Sequence, residues 1–213
     1  MSAAGQSPEQ ILEAFKSASF FGWLNIRWHK DAVFSIDPLR KLLTGVLGES
    51  SFAQLNTRLF IASTDIVKGV PVIHSTGPLL ETVIASSAVP GVFEPVRMGD
   101  QLLVDGGVLN NFPVEPLLGI CDIIIGSHVN RQEKNVAAEF FSSAMNILDR
   151  AYHLAISNAV YGKTHQSDVF IDHSLAAYPI YDLKNADAIF EAGYKEAAKY
   201  RDHILKLAGD SGE

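Results

Sequence analysis

The chain has little cysteine, little positive charge and no long apolar run. Its single cysteine, Cys121, excludes an intramolecular disulfide and a cysteine-built zinc cluster. One thiol fits a reducing, cytoplasmic setting. The longest unbroken hydrophobic stretch is four residues, at Leu59 to Ala62 and again at Leu175 to Tyr178. A helix that crosses a bilayer needs roughly 20. Lys and Arg number 17 against 24 Asp and Glu, for a formal net charge of −7. An acidic chain with no basic cluster repels a phosphate backbone, so no nucleic-acid partner is expected. Met1 to Gln10 is small and polar, with neither the charged nor the apolar segment of a secretory signal. Repeats, low-complexity tracts and linkers rich in Pro, Gly or Ser are also missing.

What remains is ordinary globular material. The 213 residues are 47% hydrophobic, enough to bury the core of one domain. We expect that domain over residues 1–208 and a loose tail over 209–213.

Helix signals recur along the chain. Ser7-Pro8-Glu9-Gln10 reads as an N-cap, a proline at N1 and a capping-box Gln at N3. Asp37-Pro38 repeats the start, with Leu39, Leu42, Leu43, Val46 and Leu47 at helical spacing and Gly48 as terminator. A third helix is predicted between Pro78 and Pro90. A long one runs from about Val136 to Tyr161, with Phe140, Phe141, Ala144, Leu148, Tyr152 and Ala155 facing inward. A last one follows Asn185 and carries Ile189, Phe190, Tyr194, Ala197, Ile204 and Leu207.

Strand candidates are short and mostly apolar: Leu59 to Ala62, Val70 to Ile73, Leu102 to Val104, Cys121 to Ile125 and Val169 to Ile171. Runs of this kind suit strands covered on both faces, so a three-layer α/β/α domain with a mostly parallel central sheet is expected. Ligands in that class gather at the carboxyl ends of strands.

Several motifs fail on inspection. The histidines show no metal spacing, so no metal is expected and a structural role is assigned to each. Gly162-Lys163-Thr164 has Ser157 where a phosphate loop needs its first glycine. Asp182 to Glu191 carries Lys184 and Ala186 at calcium-ligand positions. Neither G-x-S-x-G nor G-x-G-x-x-G occurs, and no cofactor is implied.

One stretch is dense with unusual residues. It runs Ala85-Ser86-Ser87-Ala88-Val89-Pro90-Gly91-Val92-Phe93-Glu94-Pro95-Val96, then through a short polar turn to Leu102-Leu103-Val104-Asp105-Gly106-Gly107-Val108-Leu109-Asn110-Asn111-Phe112-Pro113-Val114-Glu115-Pro116. Leu102 to Val104 reads as a buried strand that delivers Asp105 to its carboxyl end. Gly106 and Gly107 let the backbone turn sharply and let another group approach. Asp-Gly-Gly alone is equally a common turn.

The combination resembles the patatin-like phospholipase family in its bacterial form. Phe60 to Asp65, Gly77 to Glu81 and Ser7 to Phe15 are similar to further parts of that family. The resemblance implies a three-layer fold and a Ser–Asp dyad that hydrolyses a lipid acyl ester, with no histidine between serine and aspartate. Carried over, the aspartate is Asp105, with Gly106 and Gly107 supporting it and Asn110, Asn111 and Pro113 holding the loop. Asp65 and Glu115 are assigned structural roles.

The chain departs from the family pattern in one respect. The family places a glycine-rich oxyanion loop and a G-x-S-x-G nucleophile segment ahead of the region seen here, and neither is present. The resemblance therefore implies an N-terminally truncated domain, beginning just past the catalytic serine and inactive alone. A folded chain without that strand exposes apolar surface, so self-association is expected. The alternative is a non-catalytic relative that binds lipid or a protein partner. Phe20 to Trp28 then reads as a lid or lipid-facing element, against its other reading as core aromatics. Either way the expected partner is lipid or an acyl ester, and the expected location is cytoplasmic, peripheral to the inner face of the membrane.

Overall fold

A computed structural model describes residues 1–17, 35–48, 50–131, 134–175, 178 and 183–210. The chain forms two compact units, Met1–Asn110 and Asn111–Glu213. The division falls at a place with no linker composition.

The first unit starts with α1, Pro8–Ser17. Its capping box forms as the sequence predicts: Ser7 N–H donates to Gln10 Oε1 at 2.8 Å, and Gln10 N–H donates to Ser7 Oγ at 3.2 Å. Two of the helix's orphan end groups are thereby satisfied. Helix α2, Asp37–Leu47, begins one residue earlier than the cap reading places it, with Ile36 as N-cap. Gly48 closes it at φ 57°, its N–H on Thr44 O. Strands β1, Ile61–Asp65, and β2, Val70–His74, form a hairpin. Helix α3, Leu79–Ser86, follows. Strands β3, Val96–Met98, and β4, Gln101–Asp105, form a second hairpin, turning at Gly99 with φ 61°. A short helix, α4, spans Gly107–Asn110.

These four strands lie in the order β2-β1-β4-β3, and every pairing is antiparallel. The expectation of a mostly parallel sheet therefore needs correction here. The β1–β2 and β3–β4 connections are tight turns, too short for the crossover that parallel strands require. The α/β class stands. Alternation places Ser63, Asp65, Val72, His74, Leu103 and Asp105 on one sheet face. Leu103 and Val72 of that face join a core of Ile84, Ala85, Ala88, Phe93, Leu43 and Leu47. Ile84, Ala85, Ala88 and Leu103 are fully buried.

The second unit contains the parallel pair. Strands β5, Ile125–His128, and β6, Val169–Asp172, align Ile125 with Val169 and His128 with Asp172. The crossover between them carries α5, Ala144–Tyr161. Helices α6, Ala186–Ala198, and α7, Arg201–Asp210, complete the unit. Among its described residues, Phe112, Val114, Ile124 and Val160 form a core cluster, with Leu117 and Phe170 packed against them. His128 Nδ1 meets Asp172 Oδ1 at 2.8 Å, and the Tyr161 hydroxyl donates to Asp172 Oδ2 at 2.9 Å.

Three further expectations change. The long helix is interrupted, since Ala138–Phe141 is a separate 3-10 turn and Ser143 caps α5 by accepting the Asn146 N–H. A serine hydroxyl serves the backbone better at a helix start than in its interior. The inner stripe shifts too: Leu148 is 65% exposed, while Ile156 and Val160 are buried. Gly209 and Asp210, read as the start of a tail, lie in α7.

Candidate active site

Asp105 ends β4. Its register partner on β1 is Ser63. Ile66 N–H donates to Leu102 O at 3.0 Å, which makes Ile66–Leu102 a hydrogen-bonded pair. Alternation then makes Ser63–Asp105 a non-hydrogen-bonded pair, the type in which side chains stand closest. The Asp105 N–H points away from β1 and donates to Ala88 O at 2.9 Å. The strand end is thus tied to the Ala85 to Gly91 segment that the sequence marks as unusual.

The turn that follows holds the carboxyl group. Gly107 N–H donates to Asp105 Oδ1 at 2.6 Å, the carboxyl's one hydrogen bond among the described residues. Gly106 is buried against β1, where a Cβ would lie 2.4 Å from the Ala62 carbonyl oxygen. Leu109 and Asn110 N–H groups then donate to Gly106 O at 3.2 and 2.8 Å. Both glycines therefore have definite functions, one as a close approach and one as a donor. Burial pushes the Asp105 pKa above the ordinary carboxylate value, and the Gly107 hydrogen bond opposes that rise in part.

A second polar pair adjoins it. Ser63 Oγ lies 2.7 Å from His74 Nε2. Ser63 is fully buried, and burial holds the His74 pKa below that of a free imidazole. Sequence reasoning missed this pair, because His74 meets Ser63 only once the hairpin register is fixed.

Other residues singled out by sequence fall in different places. Asp65 is fully buried and shapes the hairpin turn, its Oδ1 accepting the Val67 and Lys68 N–H groups at 3.1 and 3.2 Å. Glu115, in the second unit, pairs with Lys163. Asn111 and Pro113 also belong to that unit, while Asn110 is buried in the first. Phe20 to Trp28 lies outside the described residues. No group of three or more His, Cys, Asp or Glu among the described residues could hold a metal ion.

The family described as patatin-like phospholipase matches residues 1–118, more than half of the chain. An uncharacterized NTE family protein of Mycobacterium tuberculosis is 27% identical over 176 residues, covering 72% of this chain and 30% of the relative. A second such protein from the same organism is 33% identical over 95 residues, covering 44% of this chain and 26% of the relative. The lysophospholipase nte1 of Aspergillus terreus is 24% identical over 181 residues, covering 74% of this chain and 12% of the relative. The chain spans less than a third of the length of these curated relatives.

Proposed function

Because the chain belongs to the patatin-like phospholipase family, we propose that Asp105 is the carboxylate base of a lipid acyl-ester hydrolase. The observation that carries this reading is the seat of Asp105. It stands at a strand end, half-buried, with one oxygen held by Gly107 N–H and the other without a hydrogen bond among the described residues. An exposed aspartate, with a pKa of about 3.9, takes a proton poorly at neutral pH. Burial raises the affinity of Asp105 for a proton, as a base acting directly on a serine hydroxyl requires.

In the proposed reaction the serine oxygen attacks the ester carbonyl and its proton passes to Asp105. The alcohol leaves with a proton, and water then releases the acyl group. The sequence holds no G-x-S-x-G segment. The nucleophile and its oxyanion donors therefore come from outside these residues, and the chain alone is inactive. A lipid substrate places the working protein at a membrane surface. No helix among the described residues is long and apolar enough to cross one, and we propose peripheral contact. We also propose a cytoplasmic location and self-association of the isolated chain.

The test uses a short-chain nitrophenyl ester. A polypeptide that joins this chain to an upstream G-x-S-x-G segment is expected to turn it over, with Asp105→Asn slowing turnover by at least about 100-fold. Turnover by the isolated chain, abolished by Asp105→Ala, would overturn the assignment of an external nucleophile. Full activity of Asp105→Asn in the longer polypeptide would overturn the role of Asp105.

A further inference from the structure

Helix α5 is amphipathic the wrong way round. Successive residues of a helix turn by about 100°. Asp149, Arg150 and His153 therefore fall on the same half of α5 as the buried Ile156, Ser157 and Val160. Asp149 and His153 pair there at 3.5 Å. The other half carries Ile147, Leu148, Ala151, Leu154, Ala155 and Asn158, all exposed and none charged. The three large side chains of that half, Ile147, Leu148 and Leu154, are 51%, 65% and 37% exposed. A surface helix ordinarily turns its charges to water and its apolar stripe to the core. An uncharged outward stripe more than three turns long marks a surface that something covers.

Size and charge say what kind of cover fits. An 18-residue helix is about 27 Å long and about 10 Å wide, so its outward strip offers roughly 270 Å². A stable protein interface needs about 800 Å² on each side. The strip is too small to hold a second copy of the chain or another folded partner by itself. It is large enough to sink a few apolar side chains into the boundary between lipid headgroups and acyl chains. Helices that bind anionic lipid carry Lys and Arg on their polar face, whereas α5 has one Arg and no Lys. The chain as a whole carries a net charge of −7.

We propose that the outward half of α5 docks on an electrically neutral phospholipid surface, with Ile147, Leu148 and Leu154 entering it. This rests on the reading of the protein as a lipid acyl-ester hydrolase and names the face that meets the membrane. Apolar burial holds the contact, so added salt does not weaken it. Anionic lipid weakens it, because the acidic chain is repelled.

The test is partitioning of the full chain onto vesicles of pure phosphatidylcholine, read by co-sedimentation. Leu148→Asp and Leu154→Asp are each expected to lower the partition coefficient by about tenfold, since each replaces an inserted apolar side chain with a charge. Leu205 of α7 is 57% exposed, and Leu205→Asp is expected to change nothing. Leu148→Gln keeps the test available should the aspartate variant not fold. No partitioning by the parent overturns the proposal, as does equal partitioning by the α5 variants. An equal loss in Leu205→Asp overturns it too, because the contact would then be unspecific. So does a concentration-dependent dimer that Leu148→Asp dissolves in sedimentation velocity, which would make a second copy the cover. Vesicle binding needs no turnover. Failure to bind leaves the role of Asp105 standing, and full activity of Asp105→Asn in the longer polypeptide leaves the docking face standing.

Discussion

Gly106 packs against Ala62 so closely that a Cβ at position 106 would stand 2.4 Å from the Ala62 carbonyl oxygen and 2.6 Å from its carbon. The atoms in the way are backbone, inside a strand paired on both sides. No rotamer change can make room. The turn that presents Asp105 is thereby locked to the middle of the sheet.

Gly106→Ala should therefore destabilise the chain by about 1–3 kcal/mol, the range for forced overpacking. Urea denaturation would show a lower midpoint with an unchanged slope. A midpoint equal to that of the parent would show that the turn yields more easily than the packing implies.

The contribution of Asp105 to stability should depend on pH in a stated direction. Burial raises its folded pKa. The stabilisation tied to its protonated form is fully present below the unfolded pKa and is lost as pH rises through the folded pKa. Asp105→Asn should thus melt above the parent at pH 7, with the gap closing below about pH 4. Thermal melts across that range check the sign.

Core and surface leucine-sized residues should separate cleanly. Ile84 has no exposed surface, whereas Leu148 is 65% exposed. Ile84→Ala should cost about 2–5 kcal/mol. Leu148→Ala should stay within about 0.5 kcal/mol of the parent. Equal losses in denaturant would mean that Leu148 is covered in solution, which self-association would explain.

The α1 cap offers a smaller test. Ser7→Ala removes the acceptor of the Gln10 N–H and should cost about 0.5–2 kcal/mol. Calorimetry would read it directly, and Ser7→Asn should restore most of the loss.

Local chemistry makes some features legible in the sequence itself. The Ser7 to Gln10 capping box needs only neighbours in the chain, and both of its hydrogen bonds form. Leu102 to Val104 reads as a strand that ends at Asp105, and β4 follows it. Features set by pairing are not legible. Val96–Met98 is too short to show periodicity and becomes a strand by docking on β4. The β5 strand begins where the apolar run Cys121 to Ile125 ends, because its register is set by β6. The Ser63–His74 contact joins residues 11 apart whose meeting depends on the hairpin turn between them. A scan for metal or triad spacing passes over it.

That separation of 11 residues has a kinetic counterpart. His128 and Asp172, paired across the parallel strands, lie 44 residues apart. Closing a loop four times longer costs about 1.2 kcal/mol more in chain entropy, at about 0.6 per doubling. The hairpin that seats Ser63 beside His74 should therefore assemble before the parallel pair closes. Pulse-labelled hydrogen exchange during refolding would show it as amide protection in β1 and β2 ahead of β5 and β6.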